Sequence, residues 1–274
     1  MVRLRDSSRE KGRIVEVEGK NIVVTGGANG IGRALCERFA AAAAASVMVV
    51  DLDEAGAAAV AESVGGSSRR VDVCDRGEVE RLVQDVEADS GPIDLFVSNA
   101  GIAILGGPEV EVDAWNQIWG INVMGHVHAA HALLPSMLER GEGYLLNTCS
   151  AAGLLSQIGS APYTVTKHAA VAFAEWISIA YGDRGIRVSA LCPQAVRTNM
   201  TAAMDDGGVA GVDGMMEPEE IAEATIVGLR EERFLILPHE TVRTYYQRKG
   251  QDIDRWLAGM RRQKARFGDE ALQV

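Results

Sequence analysis

The stretch Asn21-Ile22-Val23-Val24-Thr25-Gly26-Gly27-Ala28-Asn29-Gly30-Ile31-Gly32 decides the fold. Its opening run is short, apolar and β-branched, as a buried strand requires. Glycines follow at once, and residues 31–45 then turn helical in their Ala, Leu and Arg content. A strand that enters a helix through such a turn converges backbone N–H groups at the helix N-terminus. The partial positive charge there favours an anion, and a pyrophosphate fits. Gly26 permits the tight turn, Gly30 lets the backbone approach the phosphates, and Gly32 lets helix and strand pack closely, with Asn29 and Ile31 in the same loop. Taken alone, the turn could also be a ligand-free connection.

Working outward, strand-like and helix-like stretches alternate. Strands are expected at 47–51, 70–73, 94–98, 144–148, 187–191 and 234–237. Helices are expected at 54–63, from Asp75 to about 88, at 113–139 with an interruption near Pro135, at 163–181 and at 218–230. Asp75 and Glu78 have capping-box spacing. Helices feeding strands through short loops imply a doubly wound parallel sheet, a Rossmann-like α/β fold. It forms a single domain over 17–240, with no internal repeat. Residues 1–16 read as a polar tail. Residues 199–216, rich in Gly, Asp and Met, read as a mobile loop or lid. Residues 241–274 read as a basic amphipathic helical extension. Over 241–267 it carries eight Lys or Arg against Asp252 and Asp254. Its apolar face is expected to dock near the substrate cleft or on a neighbouring subunit, anchored by Trp256 and Leu257.

Asp51 closes the second strand, about 20 residues beyond the glycine loop. A carboxylate there accepts both hydroxyls of an adenosine ribose and repels a 2′-phosphate. No Arg or Lys stands at Ala28, Asn29 or Leu52 to bind such a phosphate. The expected cofactor is therefore NAD. The competing use of Asp51 is as a helix cap, which Asp53 could also provide.

Tyr163 and Lys167 lie four apart on a helix and so share a face. A free phenol ionises near pH 10, so a phenol that acts as a base near neutrality needs a neighbouring cation to favour its anion. Ser150 follows a strand end, where α/β sheets carry their sites, and its hydroxyl can hydrogen-bond a reacting oxygen. As a lone serine in a polar loop it could equally be a cap.

Composition narrows the partners. Apolar residues make up 47 % of the 274, enough for a sizeable core, and the net charge of −11 argues against nucleic acid. No C-x-x-C pair or ligand-spaced His accompanies Cys36, Cys74, Cys149 and Cys192, so no metal site is expected and the thiols read as buried in a reducing compartment. With no signal peptide and no membrane-spanning run, a cytoplasmic protein is expected.

In their order and spacing, the Thr25–Gly32 loop, Asn99-Ala100-Gly101, Asn122, Ser150, and Tyr163 with Lys167 resemble the short-chain dehydrogenase/reductase family in its single-domain branch, over residues 17–240. The resemblance implies hydride transfer between NAD(H) and a secondary alcohol or ketone, a small-molecule substrate with an apolar body. Tyr163 would exchange the proton, Ser150 orient the oxygen, and Lys167 hold the nicotinamide ribose. Asn122 would anchor a water that links Lys167 to solvent. Asp72 and Val73 would flank the adenine; Asn99, Ala100 and Gly101 would line the cleft; Pro193, Val196 and Thr198 would cradle the nicotinamide end. Two departures stand out: Gln194 where the family usually has Gly, and Ser98 where Asn is common. Ile102, Ile104, Leu105, Leu154, Leu155, Ile158, Met200, Met204 and Met215 are candidates for an apolar wall. The resemblance also implies a homo-oligomer, most simply a tetramer paired through the helices at 113–139 and 163–181. Alternatives are an NADP-dependent carbonyl or 3-oxoacyl reductase, and a non-catalytic NAD-binding regulator.

Overall fold

A computed structural model describes residues 16–202 and 206–267. Seven parallel strands form one sheet in the order β3-β2-β1-β4-β5-β6-β7. They are β1 (Asn21–Thr25), β2 (Ser46–Asp51), β3 (Ser67–Arg70), β4 (Leu95–Ser98), β5 (Gly143–Thr148), β6 (Ile186–Leu191) and β7 (Leu235–Ile236). The order reverses between β1 and β4, so the loops after these two strands diverge and leave a crevice at the carboxyl ends, where open α/β sheets bind ligands.

Period-two alternation sends neighbouring strand residues into two cores. Val24, Val97 and Leu146 enter the core shared with α1 (Gly30–Ala41), α2 (Glu54–Val64) and α8 (Pro218–Arg230). Val23, Phe96 and Leu145 enter the other, with α3 (Arg76–Ser90), α5 (Gly125–Arg140) and α7 (Ala161–Tyr181). The remaining helices are α4 (Val112–Trp119), α6 (Ala152–Leu155), α9 (Thr241–Gln251) and α10 (Ile253–Phe267). The capping-box expectation holds in its first half, since Asp75 accepts a hydrogen bond from the Glu78 N–H at 2.9 Å.

Several boundaries differ from the sequence reading, each for a physical reason. The third strand is Ser67–Arg70, ahead of the expected 70–73. It is an edge strand whose residues are mostly exposed, so it needs no apolar pattern; Val71, just beyond it, carries the core contact. The first helix stops at Ala41 although alanines continue, because the chain must turn, with Ala43 at φ 59°, to enter β2. The long helix passes Pro135 unbroken. Its interruption is a π-helical turn at Gly120–Met124, where Gly120 and Gly125 run against Cys74 and Val73. Cys74 is exposed, unlike the other three thiols.

The stretch 199–216 holds short 3₁₀ turns at Asn199–Thr201 and Gly208–Gly211; Met204 lies outside the described residues. Of the expected N-terminal tail only Glu16 is described, facing Arg230 at 3.4 Å. The extension packs on the body. Val242 is fully buried, and Tyr245 and Trp256 join the core that contains α7. Leu257, expected as a second anchor, is 45 % exposed, because it stands on the face of α10 turned away from the body.

Phe39 on α1 is completely buried among apolar side chains. Phe39→Ala should destabilise the fold by about 3–5 kcal/mol, as deletion of a buried aromatic does. Urea unfolding followed by circular dichroism measures the loss.

Candidate active site

One cleft of about 1440 Å³ runs along the carboxyl ends of the strands. Gly26, Asn29, Gly30, Ile31 and Gly32 line it, as do Asp51, Asp72, Val73, Asn99, Ala100 and Gly101. So do Ser150, Tyr163, Lys167, Pro193, Val196 and Thr198. Of the expected site residues only Asn122 stands behind the surface, fully buried.

The glycine loop is shaped by close approach. Gly26 has φ 64° and sits so near the loop after β4 that a Cβ would lie 2.8 Å from Ala100 Cα. A Cβ on Gly32 would run into the Gly26 carbonyl. Gly30 has φ 54° and faces Thr198 across the cleft. At the start of α1, Asn29 makes no side-chain capping bond and no acidic residue occupies the first turn. The leading N–H groups of α1 are thus left for an anion. At the far end, Asp51 accepts hydrogen bonds from the Ala28 N–H at 3.0 Å and the Asp53 N–H at 3.1 Å. Asp53, not Asp51, is the N-cap of α2. These residues fit a dinucleotide: an uncapped helix terminus for its phosphates and a carboxylate for its ribose.

At the other end, Ser160 caps α7 by accepting from the Tyr163 N–H at 3.2 Å, which sets the helix phase for Tyr163 and Lys167. Lys167 is 3 % exposed; its ammonium donates to the Thr148 carbonyl at 2.9 Å and lies 5.6 Å from the centre of the Tyr163 ring. The Ser150 hydroxyl accepts from the Ala152 N–H at 3.1 Å. Asn122 is turned inward by the π turn. Its side chain accepts from Ile102 N–H and donates to Ile102 C=O, both at 2.9 Å, bracing the strand of chain beside Gly101. The side-chain amide is therefore engaged with protein.

Two features escaped the sequence reading. His126 on α5 is buried against Asn147, 3.0 Å away; burial, and secondarily the Lys167 charge, push its pKa down to about 4, so it is neutral near pH 7. No periodicity marks such a residue. Gln194 turns from the cleft floor to Asp213, donating at 3.2 Å, and Asp213 also accepts from Thr241 and Tyr245. The departure from glycine is thus part of a latch joining the 199–216 segment to α9. Of the two docking places expected for the C-terminal extension, the structure shows the first: α9 and α10 form one wall of the cleft. Of the expected apolar wall, Ile102, Leu105, Leu155 and Met200 line the cleft; Leu154 belongs to the core, and Ile104, Ile158 and Met215 lie off the lining.

Comparison with known proteins agrees with this geometry. The family model described as short chain dehydrogenase matches residues 20–207. A 3β-hydroxysteroid dehydrogenase 2 of Eggerthella lenta is 33 % identical over 224 residues, 75 % of this chain and 86 % of that protein. A 2,5-dichloro-2,5-cyclohexadiene-1,4-diol dehydrogenase of Sphingobium indicum is 39 % identical over 225 residues, 77 % of this chain and 90 % of that one. A short chain dehydrogenase/reductase of Burkholderia phymatum, solved in complex with NAD, superposes with a TM-score of 0.80 at 28 % identity, covering 88 % of this chain and 96 % of the other. A match of this length, with relatives this similar along most of their own length, leaves one conclusion: the chain belongs to the short-chain dehydrogenase/reductase family, oxidoreductases that interconvert alcohols and carbonyl compounds.

Proposed function

We propose that the protein interconverts a secondary alcohol and its ketone with NAD(H), using Tyr163 as the acid/base group. The observation that carries the reading is the buried Lys167 ammonium beside the Tyr163 ring, in the same cleft as Ser150 and the glycine loop. When bound, the nicotinamide accepts or supplies the hydride. In the oxidative direction the Tyr163 phenolate takes the hydroxyl proton and becomes the neutral phenol, and the Lys167 ammonium beside it balances the negative charge until the proton arrives. Ser150, oriented by the Ala152 N–H, donates to the substrate oxygen. Lys167 also reaches the nicotinamide ribose. Pro193, Val196 and Thr198 cradle the nicotinamide end, and Asp72 and Val73 flank the adenine.

The choice of NAD over NADP rests on Asp51. Two backbone N–H groups fix its carboxylate at the cleft margin, and Leu52 beside it is apolar and 50 % exposed. A 2′-phosphate would meet a negative charge with no cation to answer it. The NAD complex of the Burkholderia phymatum relative supports the same choice. The relatives from Eggerthella lenta and Sphingobium indicum are named for hydroxyls on carbon rings, which supports an apolar alicyclic body for the substrate.

We also read the assembly as a homo-oligomer. The apolar α7 residues Ala170, Val171, Ala174 and Ile177 serve the protomer's own core and say nothing about a partner. The argument rests instead on Val165, Trp176 and Ile179 of α7 and on Val112 and Trp119 of α4, all exposed. Among the described residues no helix is long and apolar enough to cross a membrane.

Three outcomes follow. Tyr163→Phe should lower kcat by about 10²–10⁴, the usual share of a general acid/base, while NAD affinity stays within a few-fold; retention of more than about a tenth of kcat would sink the assignment. Asp51→Ala combined with Leu52→Arg should move the ratio of kcat/KM for the two cofactors toward NADP, and an NADP preference in the unaltered enzyme would refute the NAD reading. Light scattering at micromolar concentration should give a multiple of the protomer mass, reduced by Trp176→Glu; a protomer mass in the unaltered protein counts against assembly.

A further inference from the structure

The acidic chain places an unbalanced set of cations at the mouth of its cleft. Arg248 of α9 and Arg255 and Arg262 of α10 all line it. Arg255 and Arg262 stand two helical turns apart on one face of α10. That face also presents Trp256, Gly259, Met260 and Gln263 to the cleft. Among the described residues, none of the three guanidinium groups makes a salt bridge or a side-chain hydrogen bond. Among the described residues the one carboxylate that α9 and α10 bring to the cleft lining, Asp252, accepts from the Arg255 N–H at 2.9 Å and serves the start of α10. Other arginines of the body find partners: Arg38 with Glu223, Arg69 with Asp85, Arg187 with Glu232. In a chain of net charge −11, three unpaired guanidiniums on one cleft wall are a concentration of positive potential at an entrance.

Their position fixes which end of the cleft they serve. Lys249, next to Arg248, donates to the Leu154 carbonyl at 2.6 Å and so pins α9 onto α6. That short helix begins directly after Ser150 and Ala151. Tyr245 and Trp256 pack on the same side, against the core that includes Leu154 and Leu155. The arginines therefore stand over the catalytic end, while Asp51 and Asp72 occupy the adenine end. A ligand reaching them from Ser150 and Tyr163 would pass Leu155 and Trp256, an apolar path closing on a cationic rim.

Resting on the oxidoreductase reading above, we propose that the substrate is a secondary alcohol or ketone whose apolar body carries an anionic group, a carboxylate in the first instance, away from the reacting carbon, and that Arg248, Arg255 and Arg262 bind that group. Guanidinium suits the task because its planar fork meets a carboxylate with two parallel N–H bonds. The anion stays at the hydrated rim, so little desolvation opposes the contact.

The test uses matched pairs that share one carbon skeleton: 3-hydroxysteroid and 4-hydroxycyclohexane carboxylic acids, each beside its methyl ester. Turnover is read by NADH absorbance, and binding to the full-length enzyme with NAD present by tryptophan fluorescence. The acid is expected to be preferred by tenfold or more in kcat/KM or in affinity. Replacing the trio with Gln (Arg248→Gln, Arg255→Gln and Arg262→Gln together) should bring the acid-to-ester ratio near unity, as should added salt. Arg243→Gln, on the same helix but off the cleft, should keep the preference. Equal handling of acid and ester by the unaltered enzyme overturns the inference, as does a ratio that survives in the triple variant. A triple variant whose main defect is a tenfold weaker NAD affinity overturns it too, since the arginines would then serve the dinucleotide. Salt-sensitive binding to DNA or anionic vesicles without acid-to-ester discrimination likewise rejects it. If none of the alcohols is turned over, the oxidoreductase reading fails separately, and the binding ratio still decides the role of the arginines.

Discussion

The crevice depends on a small knot of hydrogen bonds between the ends of β1 and β4. Thr25 Oγ1 donates to the Val97 carbonyl and accepts from the N–H groups of Asn99 and Ala100, at 3.2, 2.9 and 3.1 Å. The Asn99 amide donates back to the carbonyls of Thr25 and Gly26. Two loops that leave the sheet in opposite directions are thereby held at fixed separation. Everything that meets the cleft is positioned against that pair: the uncapped end of α1 on one side, Gly101 and the Asn122 brace on the other. Because these bonds are partly buried, losing one leaves an unsatisfied group as well as a looser loop.

Legibility in the sequence followed the range of the forces involved. The glycine loop, Asp51, and the Tyr163–Lys167 pair obey local rules, either backbone sterics or helical spacing, and local rules can be read from neighbouring residues. Strands facing two cores announce themselves by apolar runs, so β1, β2, β5 and β6 were plain. The edge strand β3 faces mostly solvent and carried no such mark. The π turn was misjudged because Pro135 is a known helix breaker, whereas the real disturbance comes from contacts of Gly120 and Gly125 with a loop far away in sequence. Long-range contacts likewise hid the Gln194–Asp213 latch, and burial alone hid His126. The docking of the C-terminal helices was foreseen from a sticky face, but Trp256 and not Leu257 carries it.

The extension changes what kind of cavity the fold encloses. Without α9 and α10 the Ser150–Tyr163 end of the cleft would open to water beside Leu155. With them it gains an aromatic wall, and Lys249 and Asp213 tie that wall to α6 and to the 199–216 segment. The same few residues thus join α6, the loop and the extension.

The π turn has a further consequence for how the chain can vary. An α-helix advances about 100° per residue, and a π turn accommodates one residue more than the regular spiral. That residue is absorbed within the turn, so the buried stripe of α5, through Ala129, Ala130 and Leu133, keeps the phase of a continuous helix. Deleting a single position within 120–124 would close the turn into a regular α-helix and leave α5 in phase with the sheet, while removing the widened turn from which Asn122 reaches Ile102. The length of this segment is thus tied to the Asn122 brace beside Gly101, and not to the packing of α5.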